Sequence, residues 1–127
     1  MILIFDECTS GFRTCLGGIH KEYKVNPDLA VFGKALGNGY PITAVIGKSR
    51  IMKYASKSFI SSTYWTDRIG YVSALQTIKT MERIKSWNII KKNGQNIKQK
   101  WFKLAKKNNL EITISDSDSI PSFNFEK

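Results

Sequence analysis

Two residues in this sequence could act together on a carbonyl compound: Asp6 and Lys34. Asp6 follows the apolar run at residues 1–5, and Lys34 follows a second apolar run at residues 29–33. A lysine amine can condense with an aldehyde, and a carboxylate can hold a ring nitrogen in its protonated form. If the runs are parallel strands, the acid and the amine meet at one sheet edge. They would then suit an aldehyde cofactor with a basic ring nitrogen, namely pyridoxal phosphate.

Each of the two residues also has an ordinary structural interpretation. A lysine after a strand is usually a solvated loop residue, and an aspartate there more often caps a turn or a helix. The catalytic interpretation of the pair is favoured because open α/β sheets bind their ligands at the carboxyl ends of strands. The turn after Lys34 also contains Gly37, Asn38 and Gly39, which tolerate backbone conformations that other residues resist.

Three segments form a recognisable set in a fixed order over residues 1–85. They are IFDECTSGFR at 4–13, the segment 27–41 with its GKALGNGYP turn, and SSTYW at 61–65. The set resembles the class III pyridoxal-phosphate aminotransferases, and within them the branch similar to glutamate-1-semialdehyde 2,1-aminomutase. The resemblance implies transamination or 1,2-migration of an amino group, with small-molecule amino donors and acceptors and a homodimeric complete enzyme.

The resemblance also implies roles for four residues of this chain. Lys34 would form the Schiff base with pyridoxal 5'-phosphate and would shuttle protons once the substrate displaces it. Asp6 would pair with the pyridinium nitrogen of the cofactor, which makes the ring an electron sink. Cys8 would pack against the ring, where the family usually has Val, and Thr63 would contact the cofactor phosphate in the neighbouring subunit's site.

The pattern of apolar segments predicts an α/β fold. Residues 42–47 and 58–62 read as strands, and residues 111–114 read as a late strand. Ser49 is the predicted N-cap of a short helix, and Thr66 is the predicted N-cap of a long one. The long helix and the one after it each carry an apolar stripe. The stripes are Ile69, Val72, Leu75, Ile78 and Met81 in the first, and Ile90, Gly94, Ile97, Trp101 and Leu104 in the second.

The resemblance places these elements within a larger enzyme. Residues 1–86 would be part of the large pyridoxal-phosphate-binding domain of a fold-type I enzyme. Residues 87–127 would form the connecting helix and the start of the small carboxyl-terminal domain. Because the glycine/serine phosphate cradle and most of the small domain of the family are missing, we expect an internal fragment that is inactive alone.

The positive charge of the chain raises one alternative to the enzyme, and its short length raises another. The formal net charge is +10, and residues 79–107 carry ten basic side chains against one acid, so this segment could form a basic nucleic-acid- or anion-binding module. Sixteen of the twenty basic residues are lysines, however, whereas sites that read bases or grip phosphates favour arginine. We therefore expect solvated lysines on helix surfaces, and no nucleic-acid or membrane partner. The other alternative is an inactive truncated remnant.

The remaining chemistry-bearing residues have simple interpretations. His20 is the only histidine, so no site with several histidine ligands can form, and we expect no metal. Cys8 and Cys15 lack metal-type spacing and fit reduced thiols in a cytoplasmic protein. Arg13 could bind a substrate carboxylate or hold the loop after Asp6, and we favour the loop. No apolar run approaches the ~20 residues that a membrane span needs.

Overall fold

A computed structural model describes residues 1–126 of the chain, which contain five strands, three α-helices and three 3₁₀ turns. The strands are β1 (Ile4–Asp6), β2 (Leu29–Phe32), β3 (Ala44–Gly47), β4 (Ile112–Ile114) and β5 (Phe123–Phe125). The helices are α1 (Ser49–Met52), α2 (Arg68–Ile84) and α3 (Ser86–Lys107). The 3₁₀ turns are Ile19–Lys21, Lys34–Leu36 and Ala55–Lys57.

The first sheet has the strand order β1-β2-β3, and it confirms the predicted pair of parallel strands. β1 runs parallel to β2 with Asp6 opposite Val31, and β3 runs antiparallel to β2. The buried core lies on this sheet and its neighbouring elements. It contains Ala30, Phe32, Leu36 and Ala74, with Phe12, Ile42, Ala44 and Ile78 packed against them. The carboxyl ends of β1 and β2 therefore share one sheet edge.

A buried aspartate at the opposite edge ties the three strands together. Asp28, immediately before β2, accepts a hydrogen bond from the backbone N–H of Leu3 at 3.0 Å. Its carboxylate also pairs with Lys48 at 3.2 Å and with Arg50, which lie beyond β3. The Leu3 hydrogen bond, the hydrogen bond from Lys48 and the Arg50 charge lower the pKa of Asp28 to about 2, against a smaller opposing effect of burial. The strand ends are thus held in register by an ionised side chain.

Both helix caps predicted from the sequence are wrong by one residue. Lys48 occupies the N-cap position of α1, and Ser49 is the first helical residue. Asp67, not Thr66, caps α2, since its Oδ1 accepts a hydrogen bond from the backbone N–H of Ile69 at 2.9 Å. A carboxylate satisfies a free N–H and also interacts favourably with the positive end of the helix dipole.

The strand predicted at residues 58–62 is wrong as well. This segment is irregular and exposed, and no described strand lies beside it. A strand needs a neighbour to accept its backbone hydrogen bonds, and alternation of side chains alone does not supply one. The predicted strands at 42–47 and 111–114 are confirmed, as β3 and β4.

Helix α2 buries only the second half of the predicted stripe, where Met81 is buried and Ile78 packs against the core. Ile69, Val72 and Leu75 are exposed, while the buried residues are Gly70, Ala74 and Met81. A stripe in three-residue steps drifts around the helix by about 60° per step, because the repeat is ~3.6 residues. The sequence therefore predicted the helix correctly but misassigned much of its buried face.

The buried face of α2 packs on the turn that follows Lys34. A Cβ on Gly70 would lie 2.7 Å from the carbonyl oxygen of Pro41, so glycine permits this close approach. The hydroxyl of Ser73 donates to the carbonyl oxygen of Gly37 at 2.6 Å. These contacts fix the glycine-rich turn against the helix.

Helix α3 packs on the β4-β5 hairpin and on the loop between those strands. Gly94 contacts the backbone of Asp118 with no room for a side chain, and the Trp101 ring meets the Phe123 ring edge-on at 5.0 Å between centroids. Ile97 and Leu104 of the predicted stripe are exposed instead. Over residues 1–126, none of the helices combines the length and the hydropathy that a membrane span requires.

Candidate active site

The structure brings Asp6 and Lys34 to the same edge of the sheet. Asp6 is the last residue of β1, and Lys34 begins the 3₁₀ turn that follows β2. The Lys34 backbone has φ of 43°, a left-handed conformation that is uncommon for a residue other than glycine. Such conformations persist where the surrounding structure enforces them and they cluster at functional sites. Here the turn is enforced by its packing on α2.

Asp6 is poised as an ionised acceptor. Its Oδ1 accepts a hydrogen bond from the backbone N–H of Cys8 at 3.0 Å. This bond, a second one from the Cys8 thiol and the positive charge of Lys34 lower the pKa of Asp6 below its ordinary value. The Asp6 side chain is exposed, so its carboxylate is accessible to an external donor.

Cys8 lies beside Asp6 and is half-buried. Burial and the neighbouring Asp6 carboxylate raise the pKa of the Cys8 thiol, so this side chain is a neutral thiol at neutral pH. Its Sγ lies 3.5 Å from the point that a Cβ on Gly33 would occupy, which places the sulfur between the ends of β1 and β2. A small, soft and neutral side chain at this position can pack against a flat ligand.

Thr9 is a site residue that the sequence analysis missed. Its Oγ1 accepts a hydrogen bond from Nζ of Lys34. Thr9 precedes Lys34 by a whole loop and a strand, so no local spacing indicates the contact. The parallel pairing of β1 with β2 creates it. The hydroxyl holds the amine of Lys34 near Cys8 and Asp6.

Glu7 is a second residue that the sequence analysis missed. Its side chain is fully buried, and its carboxylate accepts hydrogen bonds from the backbone N–H groups of Ile19 and His20, both at 3.0 Å. Nδ1 of His20 lies 2.9 Å from Oε1, and the Ser10 hydroxyl donates to Oε2. Burial alone would raise the pKa of Glu7, but the hydrogen bonds from Ser10, His20 and Ile19 outweigh it and lower the pKa. Glu7 thus holds the loop after Asp6 in place.

A wide cleft opens beside Lys34. Its walls come from helix α2, the segment before it, the loop after β1, the glycine-rich turn, the start of α3 and the loop between β4 and β5. Lys34 is the only one of the four predicted site residues that lines it, within the part of the chain that the structure describes. Asp6 and Cys8 flank Lys34 just outside the cleft wall. Thr63 is exposed in the turn before α2, and it does not line the cleft although Ser62 and Tyr64 beside it do.

The sequence matches the family described as aminotransferase class-III over residues 1–116. The chain therefore belongs to the class-III aminotransferases, whose cofactor is pyridoxal phosphate. The predicted family and the predicted cofactor of that family are both confirmed.

Two curated relatives illustrate the similarity. The chain is 37% identical over 127 residues to a 3-aminobutyryl-CoA aminotransferase of Cloacimonas acidaminovorans, covering 99% of this chain and 31% of the relative. It is also 37% identical over 92 residues to a glutamate-1-semialdehyde 2,1-aminomutase of Bdellovibrio bacteriovorus, covering 70% of this chain and 22% of the relative. The chain thus spans less than a third of the length of either relative.

Solved structures confirm the predicted fold type. FumI of Sphingopyxis sp. MTA144, in its PLP internal aldimine form, matches with a TM-score of 0.90 and 22% identity, over 98% of this chain and 30% of that one. An omega-transaminase from Sphaerobacter thermophilus matches with a TM-score of 0.85 and 21% identity, over 100% of this chain and 30% of that one. The fold is that of part of a fold-type I transferase.

Proposed function

We propose that this chain supplies the Schiff-base lysine and the ring-nitrogen partner of a longer enzyme that transfers or migrates an amino group. The observation that carries the proposal is the placement of Lys34 and Asp6 at the ends of two adjacent parallel strands. An amine and an ionised carboxylate at one sheet edge match the two ends of a pyridoxal ring. The substrates would be small-molecule amino donors and acceptors.

The side chains present fit pyridoxal 5'-phosphate. Asp6 is exposed, and its lowered pKa keeps it ionised, so it can accept from a protonated ring nitrogen. The neutral Cys8 thiol supplies a surface for the ring between the two strand ends. When bound, the cofactor supplies an aldehyde and a ring that withdraws electrons from the substrate carbon.

Lys34 would act twice at this site. Its Nζ would attach to the cofactor aldehyde, and the freed amine would later move a proton between the substrate carbon and the cofactor carbon. The Thr9 hydroxyl holds Nζ by a hydrogen bond and so restricts the positions that the amine can take. An amine that is restricted to fewer positions spends a larger fraction of time in the geometry that reacts.

The complete enzyme would be a cytoplasmic homodimer, in which Thr63 contacts the cofactor phosphate of the neighbouring subunit. Thr63 is exposed and does not line the cleft beside Lys34, which suits a residue that serves another subunit's site. Residues 1–86 would belong to the large domain, and residues 87–127 would lead into the small one. By itself the chain would be inactive, because it spans under a third of the length of its relatives.

The alternative is a basic binding module, and two of the ten basic side chains at residues 79–107 already have acidic partners within the fold. Lys91 pairs with Glu22 at 2.9 Å, and Lys98 pairs with Asp118 at 2.9 Å. These two lysines are therefore partly neutralised by contacts within the fold. A polyanion-binding face would instead leave its cations free to contact phosphates.

Chemical trapping tests the proposal. The protein encoded by the complete reading frame would be incubated with pyridoxal phosphate, reduced with borohydride, digested and analysed by mass spectrometry. We expect the pyridoxyl mass on the peptide that contains Lys34, and its loss in the Lys34→Ala variant. Lys79→Ala, which changes an exposed lysine on α2, is the matched control and should leave the label unchanged. Equal labelling of Lys34→Ala and the wild type would refute the assignment.

A further inference from the structure

The chain contains two asparagines that are followed by glycine, and the structure places them in opposite environments. In such a pair the backbone nitrogen of the glycine can attack the side-chain amide of the asparagine, because glycine has no Cβ to hinder the approach. Asn38 and Gly39 lie in the turn after Lys34, whereas Asn93 and Gly94 lie inside α3. The two pairs have the same sequence, so a difference in their reactivity comes from the fold.

The pair at Asn38 is open to this attack. Asn38 and Gly39 are the central residues of a turn that the backbone N–H of Tyr40 closes on the carbonyl oxygen of Gly37 at 3.1 Å. Their φ angles are 46° and 105°, which is the pattern of a type I′ turn. Both residues are exposed, and nothing lies within 4 Å of the point that a Cβ on Gly39 would occupy. A short exposed turn of this kind opens at little cost in free energy.

The pair at Asn93 is protected, although Asn93 itself is exposed. Gly94 is an interior residue of α3, where each backbone N–H donates to the carbonyl oxygen four residues earlier. Gly94 is also buried against the backbone of Asp118, whose side chain accepts a hydrogen bond from Lys98 at 2.9 Å. The nitrogen of Gly94 can therefore reach the Asn93 amide only after α3 opens locally.

We propose that Asn38 is a site of spontaneous deamidation, and that the isoaspartate it forms disrupts the turn that carries Lys34. The nitrogen of Gly39 loses its proton and forms a bond to Cγ of Asn38, and the side-chain nitrogen takes up a proton and leaves as ammonia. Water then opens the cyclic imide at either of its two carbonyl carbons. One opening gives aspartate. The other gives isoaspartate, in which the main chain runs through the former side chain.

Isoaspartate changes the contacts that shape the turn. It adds one methylene to the main chain, which displaces the next residues by about 1.5 Å and breaks the 3.1 Å hydrogen bond from Tyr40 to Gly37. The same carbonyl oxygen of Gly37 accepts the hydroxyl of Ser73 on α2 at 2.6 Å. The left-handed backbone of Lys34 depends on this packing. The consequence for the chemistry of Lys34 rests on the proposed function, whereas the deamidation does not.

Ageing of the complete protein tests the site by mass. The protein encoded by the complete reading frame would be incubated at mildly alkaline pH, which favours loss of the Gly39 proton, and would be digested at intervals for mass spectrometry. We expect acid to accumulate at Asn38 at least about tenfold faster than at Asn93, because α3 must open before Asn93 can react. Asn38→Gln should gain far less acid, since its longer side chain closes the ring less readily. Equal rates at Asn38 and Asn93, or no acid at Asn38, would overturn the proposal.

Borohydride trapping of pyridoxal phosphate measures the effect on Lys34. The fraction of aged protein that contains isoaspartate, isolated by chromatography and checked for its fold by circular dichroism, should carry severalfold less pyridoxyl label at Lys34 than fresh protein. Asn93→Asp, which adds one negative charge at an exposed position of α3, should be labelled like the wild type. Full labelling of the isoaspartate fraction would overturn the effect on the turn. A lack of label in fresh wild type would refute the proposed function alone, because the deamidation rates are read from mass.

Discussion

Replacement of Glu7 by Gln should loosen the loop that follows Asp6. Glu7 is fully buried, and both of its carboxylate oxygens accept two hydrogen bonds each. Glutamine keeps the shape but turns one oxygen into an NH₂ group, which then faces a backbone N–H of Ile19 or of His20. At least one charged hydrogen bond is lost and one donor is left unpaired. The cost is about 2 kcal/mol, from the usual range for such bonds.

Amide hydrogen exchange measures this effect at the two groups concerned. If the loop opens locally, a cost of about 2 kcal/mol corresponds to roughly 30-fold faster exchange at Ile19 and His20. Glu22→Gln is the matched control, since it removes only an exposed ion pair with Lys91, which is worth ~0–1 kcal/mol. Exchange rates at Ile19 that are the same in Glu7→Gln and Glu22→Gln would refute the reasoning.

The pH dependence of stability gives a second check on Glu7. Its folded-state pKa is lowered from the ordinary value of 4.5, because the hydrogen bonds outweigh the burial that raises it. A group of this kind stabilises the fold above its unfolded pKa, and the contribution is lost as the pH falls through the folded pKa. The stabilities of the wild type and Glu7→Gln should therefore differ at neutral pH and converge in acid.

Three further changes test the fold around the site. Asp28→Asn should lower the urea midpoint at pH 7 but not well below pH 2, because the pKa of Asp28 is lowered to about 2 and its stabilisation is lost as the pH falls through that value. Lys85→Gly should raise the free energy of unfolding by about 0.5–1 kcal/mol, since Lys85 has φ of 50° at the end of α2, whereas the same change at the mid-helix Lys79 should lower it by about 1 kcal/mol. Gly94→Ala should lower the melting temperature by several degrees, because a Cβ there collides with the backbone of Asp118, and an unchanged melting temperature would contradict the close packing of α3 on that loop.

The strands that carry the site were predictable from the sequence because their signals are local. Apolar runs that end on Asp6 and before Lys34 predict two strands, and the polar groups beyond them predict a site at the sheet edge. The structure confirms the parallel pairing. The helices α2 and α3 were also predictable, since long amphipathic segments have a strong periodic signal.

The predicted strand and the predicted buried face were wrong where they depend on residues far away in the sequence. The segment 58–62 alternates like a strand, but no neighbouring strand is present to pair with it among the described residues. The predicted stripe of α2 included Ile69 and Val72, although the helix turns Gly70 and Ala74 towards the glycine-rich turn. Periodicity identifies an apolar stripe, but close approach of another backbone selects the face that is buried.

The sequence by itself determined the family, the two strand ends and the residues that could do chemistry there, because each signal lies within a few consecutive positions. Only the tertiary structure decided how these residues are supported. The hydrogen bond from Lys34 to Thr9 and the hydrogen bonds from Ile19 and His20 to the buried Glu7 join separate segments of the chain. These hydrogen bonds depend on strand pairing and on loop packing, and the local sequence specifies neither.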